Sequence, residues 1–306
     1  MVRERGMTGR QALILLAGVV AVSWAASFIR LASEAGAAAL AIAALRLTFA
    51  SPPMVAAAAW TGIDDLRRLA RRDWALLLLS AVSLAFHFGL WVASLERTSV
   101  ATSVVLVTTQ PVFVGLGAWL ALRESPSRAV VLGTVIAGLG AVLLVSDDWT
   151  DMGAMGGNVM ALLGAVAVSI YVIVGRTMRQ RVSLSSYTGV VYSGTAMLLL
   201  GTALLTGTAL RGYSAEAYLW IAVMAVVSQL IGHNAINWSL AALPAAVVAV
   251  AILGEPVIAS AIAAFVLDEV PTLLEIAGGA VVLAGVYVAL RGERRARIVP
   301  PAPIEV

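Results

Sequence analysis

The chain is 306 residues long, 61% hydrophobic and only 12% charged, with a mean hydropathy of +0.96. A soluble domain is about half apolar and a quarter charged, so composition excludes one and points to an all-α integral membrane protein. Cysteine and lysine are both absent, which excludes disulfides, thiol catalysis, cysteine–metal sites, a Walker A phosphate loop and a Schiff-base chromophore.

The N-terminus places Arg3, Arg5 and Arg10 before an apolar run, the outline of a signal peptide. Nine further apolar stretches make a retained first span the better reading. Ten spans of membrane-crossing length are predicted, at roughly 12–32, 37–60, 74–95, 99–121, 129–146, 158–176, 186–206, 217–238, 244–267 and 272–290. Short loops join them and leave no room for a soluble second domain. No His-Glu-x-x-His or Gly-x-Ser-x-Gly motif is present, and neither an enzyme nor a cofactor is expected.

All 20 basic residues are arginine, and they sort by side. With the N-terminus in the cytoplasm, sixteen fall inside, only Arg30, Arg97 and Arg211 fall outside, and Arg46 lies within a span. This positive-inside bias predicts both termini in the cytoplasm and the Asp147, Asp148, Asp151 cluster outside. It also accounts for the net charge of +3 without a nucleic-acid partner, for which a basic face with interleaved aromatics would be needed.

The chain repeats itself. Residues 86–144 moved forward by 145 positions land on 231–289 without a gap. Pro111-Val112 falls on Pro256-Val257, Glu124 on Glu269, Pro126 on Pro271, and Gly133 and Gly140 on Gly278 and Gly285. Upstream, an offset of 146 pairs Gly18 with Gly164 and Arg30 with Arg176. Five spans per copy is an odd number, so the second copy is expected upside down relative to the first. Two inverted five-helix repeats are predicted at 1–148 and 149–292, with a cytoplasmic tail at 293–306, and a site between them near the midplane.

This pattern resembles the drug/metabolite transporter superfamily in its two-repeat EamA form. The carrying features are the duplicated unit and the fourth-span ending Pro111-Val112…Ala-Leu-Arg123-Glu124, with its copy Pro256-Val257…Val-Leu-Asp268-Glu269. The small-residue spans five and ten add to it, and the likeness runs over residues 10–290. Within the superfamily the chain looks similar to bacterial aromatic amino acid exporters of the YddG type. The resemblance implies a basket-like bundle in the bacterial inner membrane around a central cavity, with spans five and ten peripheral. One departure is informative. The four-helix multidrug members carry a glutamate within the first helix, whereas here Glu34 lies at its outer end, which leaves proton-for-cation exchange by such a residue in doubt.

Polar groups at membrane depth are costly, so each marks a candidate site. Ser83, His87, Trp91 and Ser94 share one face of the third span; Gln229, His233 and Asn237 recur at spacings of four on the eighth, with Asn234 and Trp238 beside them. They either line a cavity or hydrogen-bond across helices, and neither histidine has a nearby carboxylate suggesting a metal site. Gln110 precedes Pro111 as Glu255 precedes Pro256, each facing substrate or satisfying a carbonyl freed by the proline. Arg46, about 13 Å into the second span, needs a carboxylate, carbonyls or an anionic ligand. It is read either as counter-ion to a substrate carboxylate or as partner of Glu255. Trp24 and Tyr171 complete a possible wall, while Trp60, Trp74, Trp119, Trp149 and Trp220 read as an interfacial belt. Together these predict a secondary transporter in the lipid bilayer, exporting a small polar-aromatic metabolite, an aromatic amino acid first. The rivals are another substrate (other amino acids, nucleosides, drugs) or a non-transporting scaffold.

Overall fold

The computed structural model describes residues 9–114, 116, 128–144, 146, 151–242, 248 and 251–298. Trp119, Arg123, Glu124, Pro126, Asp147, Asp148 and Trp149 lie outside them. Every regular element among the described residues is helical: α1 (Gly9–Ser23), α2 (Ala25–Glu34), α3 (Ala39–Thr61), α4 (Ile63–Arg67), α5 (Arg71–Ser94), α6 (Val100–Val107), α7 (Arg128–Leu144), α8 (Met152–Met178), α9 (Leu184–Leu205) and α10 (Ala215–Met224). A π-helical segment, Ala225–His233, then leads into α11 (Asn234–Ala242), followed by α12 (Glu255–Val266) and α13 (Leu273–Ile298).

Among the described residues, six helical stretches are long and apolar enough to cross a membrane: Gly9–Glu34, Ala39–Thr61, Arg71–Ser94, Met152–Met178, Leu184–Leu205 and Ala215–Ala241. Four shorter apolar helices accompany them, at Val100–Val114, Val131–Leu143, Glu255–Val266 and Leu273–Gly285. The sixth predicted span begins earlier than expected, because the Asp151 side chain caps Gly153 and Ala154 and starts α8 there.

Two interruptions sit at matching places. After α6 the chain turns at Thr108–Thr109 and is helical again from Gln110; before α12 it turns at Leu253–Gly254 and resumes at Glu255. Each restart is followed at once by a proline, which lacks the N–H an uninterrupted helix would need and fits the first turn of a new one. The hydroxyls of Thr108 and Thr109 bond the carbonyls of Val104 (2.8 Å) and Leu106 (2.6 Å), which also accept the backbone N–H groups of the same two threonines, so both side chains fold back onto the helix they end. At each proline the helix is therefore broken, with the break placed just before Gln110 and Glu255.

Packing is set by small residues. The glycine-rich helices α7 and α13 lie against each other with their backbones in contact. A Cβ on Gly140 would sit 2.5 Å from the Val282 nitrogen, and one on Gly285 would sit 2.6 Å from the Gly133 carbonyl. Helix α3 packs on α9, where Gly189 meets the Met54 carbonyl; α5 packs on α8; α6 packs on α12; and α1 packs on the π segment, where Gly232 meets Val22.

Both ends of the bundle are tied by polar groups. At one end, Arg30 Nε pairs with Glu269 Oε1 at 2.8 Å and its Nη2 donates to the Thr98 carbonyl at 2.9 Å. The Val100 N–H donates to Glu269 Oε2 at 3.0 Å, and Ser99 and Thr102 donate to Glu275. Two adjoining cavities of about 350 and 450 Å³ open among these residues. At the other end, Arg181 pairs with Asp73 at 2.6 Å, while the Ser183 N–H donates to Asp65 at 2.9 Å. That backbone bond, helped by the Ser183 and Ser186 hydroxyls, holds the Asp65 carboxyl below the usual aspartate range.

Candidate functional site

A buried polar and aromatic cluster lies where α3, α5, α8, α9 and the π segment meet. Four long apolar helices supply its walls, and Arg46, His87, Tyr171, Tyr187, Tyr192, Gln229 and Asn237 are buried among them. Helix α5 brings His87, Phe88 and Trp91 inward. The His87 and Trp91 rings stack with centroids 5.7 Å apart and 12° between planes, and both residues are buried. His87 Nδ1 lies 3.0 Å from the Gly164 carbonyl of α8, which fixes the ring against that helix. Phe88 meets His233 edge-on at 5.6 Å.

Arg46 enters from α3 and is 0% exposed. Its guanidinium lies over the Phe88 ring, 4.2 Å from the centroid, and its Nε donates to Gln229 Oε1 at 2.9 Å. Nη1 and Nη2 have no hydrogen-bond partner among the described residues. The expected Arg46–Glu255 ion pair is not formed: no carboxylate among the described residues comes within 4 Å of the guanidinium, although Glu255 is near enough to act on it through space. The reason is local. Glu255 occupies the first turn of α12, where the helix dipole favours a carboxylate, and Gln229 reaches the guanidinium instead.

On the α8–α9 side, the Tyr171 hydroxyl lies 2.8 Å from Asn237 Nδ2, and the Tyr171 and Tyr187 rings are 6.0 Å apart. Tyr187 shares a 2.6 Å hydrogen bond with Ser80, and Tyr192 donates to Asn234 Oδ1 at 3.0 Å. The structure thus brings Arg46, His87, Trp91, Tyr171, His233 and Asn237 into one connected region. Other candidates fall elsewhere. Trp24 stacks on Phe28 (5.5 Å), which stacks in turn on Trp220 (6.0 Å), so Trp220 belongs to a packed row and Trp24 joins it at the break between α1 and α2. The Gln110 carbonyl accepts from Ser169 at 3.0 Å, tying the α6 break to α8. Trp238 is half-buried beside Asn237.

Sequence alone does not single out Phe88, Ser80 or Tyr187, whereas Gln229 and Asn234 belong to the polar stripe read on the eighth span. Polar spacing finds polar residues, and no such signal marks a phenylalanine that carries a guanidinium. Among the described residues, no three His, Asp or Glu side chains gather as a metal ion would require.

The sequence model of the EamA-like transporter family matches this chain twice, over residues 11–146 and 155–291. The chain belongs to the EamA-like transporter family. Curated relatives agree with that membership. An uncharacterized transporter of Bacillus subtilis (strain 168), YwfM, is 25% identical over 84% of this chain and 86% of its own length. An uncharacterized transporter of Archaeoglobus fulgidus is 23% identical over 80% of this chain and 86% of its own. A solved crystal structure superposes with a TM-score of 0.65 over 94% of this chain and 99% of its own, at 18% identity, which shows a shared fold. As an EamA-like transporter with six long apolar helices and four shorter ones, this is a multi-pass membrane protein whose buried polar cluster is the candidate place for a small-molecule substrate.

Proposed function

We propose that the protein is a secondary transporter of the bacterial inner membrane that exports small metabolites, aromatic amino acids foremost, by alternating access. The observation that carries this reading is the stacked His87–Trp91 pair, buried among Phe88, His233 and the Tyr171–Asn237 hydrogen bond. Flat rings stack on such a wall, and imidazole, amide and phenol groups offer partners to the polar end of the same ligand. A scaffold protein has no need of groups this costly at membrane depth.

Two inverted repeats, 1–148 and 149–292, ten spans in all, give this site its place. Support comes from the packing pattern. Exchanging first with sixth span and third with eighth turns the α5–α8 contact into the contact of the π segment with α1, and both are made. The matching breaks before Gln110 and Glu255 obey the same exchange. Arginine sorting puts the Arg30–Glu269 end outside and the Arg181–Asp73 end, with both termini, in the cytoplasm.

The test is initial uptake of labelled amino acids into proteoliposomes at matched protein density. Trp91→Ala is expected to lower uptake of phenylalanine and tryptophan roughly five- to tenfold, the loss of about 1 kcal/mol of ring stacking, and that of leucine much less. His87→Ala and Asn237→Ala are expected to impair all substrates while inserting normally. Wild-type rates for phenylalanine in both Trp91→Ala and His87→Ala would place the site elsewhere.

A further inference from the structure

Arg46 is a fully buried charge, yet four of its five N–H donors bond nothing among the described residues. Its Nε is taken by Gln229 Oε1 at 2.9 Å and one face of its plane by Phe88 at 4.2 Å. The two terminal nitrogens, Nη1 and Nη2, are fully buried and bond nothing among the described residues. A guanidinium is held charged at any physiological pH, and burying it unpaired costs several kcal/mol. Apolar packing alone would be served better by a leucine or methionine at this position. The neighbouring groups do not relieve the charge. Glu255 acts from a distance, and Tyr192, His87 and His233 also lie near enough to interact with it through space but are not anions.

Because Nε is pinned from one side, the guanidinium plane has a fixed orientation, with its Nη1–Nη2 edge free. That edge is a two-pronged donor whose geometry matches a carboxylate held by two parallel N–H···O bonds. It lies next to the ring wall, since Phe88 touches both Arg46 and His233 and adjoins His87, which stacks on Trp91. Trp91 Nε1, on the ring that stacks against His87, is likewise buried without a partner among the described residues.

We infer that the Nη1–Nη2 edge of Arg46, oriented by Gln229, is the subsite for a substrate carboxylate, so that transported molecules are organic carboxylates. This rests on the reading of the buried cluster as the substrate site and narrows its chemistry. Amines lacking a carboxylate, among them cationic drugs, are excluded because they would set a second cation beside Arg46.

The experiment uses purified full-length protein in detergent and three ligands of one size: L-phenylalanine, 3-phenylpropionate and 2-phenylethylamine. Thermal stabilisation and titration read binding without requiring turnover. Wild type should be stabilised by both carboxylates and not by the amine. Arg46→Gln should weaken both carboxylates roughly ten- to hundredfold, the range for a lost hydrogen-bonded charge. Should Arg46→Gln fail to fold, Gln229→Glu decides, since it supplies a built-in carboxylate to the guanidinium. It should fold at least as stably as wild type and lose carboxylate binding by a similar factor. Phenylalanine bound at wild-type affinity by either variant, amine binding equal to that of phenylalanine, or no stabilisation of wild type by any carboxylate would each overturn the subsite. Leucine added to the panel separates the two claims. If leucine binds as well as phenylalanine and both depend on Arg46, the aromatic preference fails and the carboxylate subsite stands. If ring compounds bind whether or not Arg46 is present, the reverse holds.

Discussion

A single arginine decides how the centre of this molecule is built. Arg46 has no ion pair among the described residues, and what anchors it is an amide oxygen and a phenyl face. The sequence marks Arg46 as a charge at membrane depth that needs a partner, and it offers two: a substrate carboxylate, or Glu255, the one carboxylate lying deep within a span. Charge is visible in a sequence; an amide acting as an acceptor is not, because glutamine is as ordinary on a packing face as in a site. The consequence is a difference in coupling. In double-mutant cycles read by thermal stability, Arg46→Met with Gln229→Met should show an interaction of roughly 0.5–3 kcal/mol, as contacting residues do. Arg46→Met with Glu255→Gln should show less, since charges that do not touch interact only through space. Equal couplings would mean that the carboxylate, and not the amide, holds the guanidinium.

Whole helices were more legible than the partners of their side chains. Apolar runs located the six long helices, prolines marked both interruptions, and the paired glycines Gly133, Gly140, Gly278 and Gly285 announced close packing without saying against what. They pack on each other. The π segment was the element no periodicity revealed. Gln229, His233 and Asn237 at spacings of four suggest one α-helical face, but π-helical turns bring residues five apart together. Gln229 and Asn234 accordingly both lie against Tyr192, while His233 turns to Phe88. Glycine spacing gives a direct check on the helix pair α7–α13. A Cβ at Gly140 would meet Val282 backbone at 2.5 Å, whereas one at Gly138 meets nothing within 4 Å. Gly140→Ala should therefore destabilise the protein by about 1–3 kcal/mol, the cost of overpacking a filled contact. Gly138→Ala should be neutral or stabilise by about 0.5–1 kcal/mol, because alanine is the better helix former. Comparable melting temperatures for the two variants in detergent would show that the helices can part without cost.

At the scale of the whole molecule, the buried cluster lies in a bundle tied at both ends by polar groups, and the two ties differ in chemistry. One end is joined through Asp65 and Asp73 to the start of α9 and the turn before it; the other is joined by Arg30, which reaches across to Glu269 between α12 and α13 and to the Thr98 carbonyl before α6. Three separated parts of the chain thus meet on one guanidinium, beside cavities that already admit solvent-sized molecules. For a site to reach that side, the Arg30–Glu269 contact is the one that must break. A partly exposed ion pair contributes on the order of 1 kcal/mol or less, a bias suited to the reversible opening that the proposed alternating access requires. Removing it should shift the population towards opening at that end. The natural absence of cysteine allows a clean reading: a cysteine placed at Ser260, half-buried in the larger cavity, reports access by an impermeant maleimide applied to intact cells. Labelling of Ser260→Cys should rise several-fold when Glu269→Gln or Arg30→Gln is added. It should fall back towards the parent level in the exchanged pair Arg30→Glu with Glu269→Arg, which restores the contact with its ends reversed. Unchanged labelling across the series would mean that the pair only stiffens the loops, and that closure at this end is held by the hydrogen bonds of Glu275.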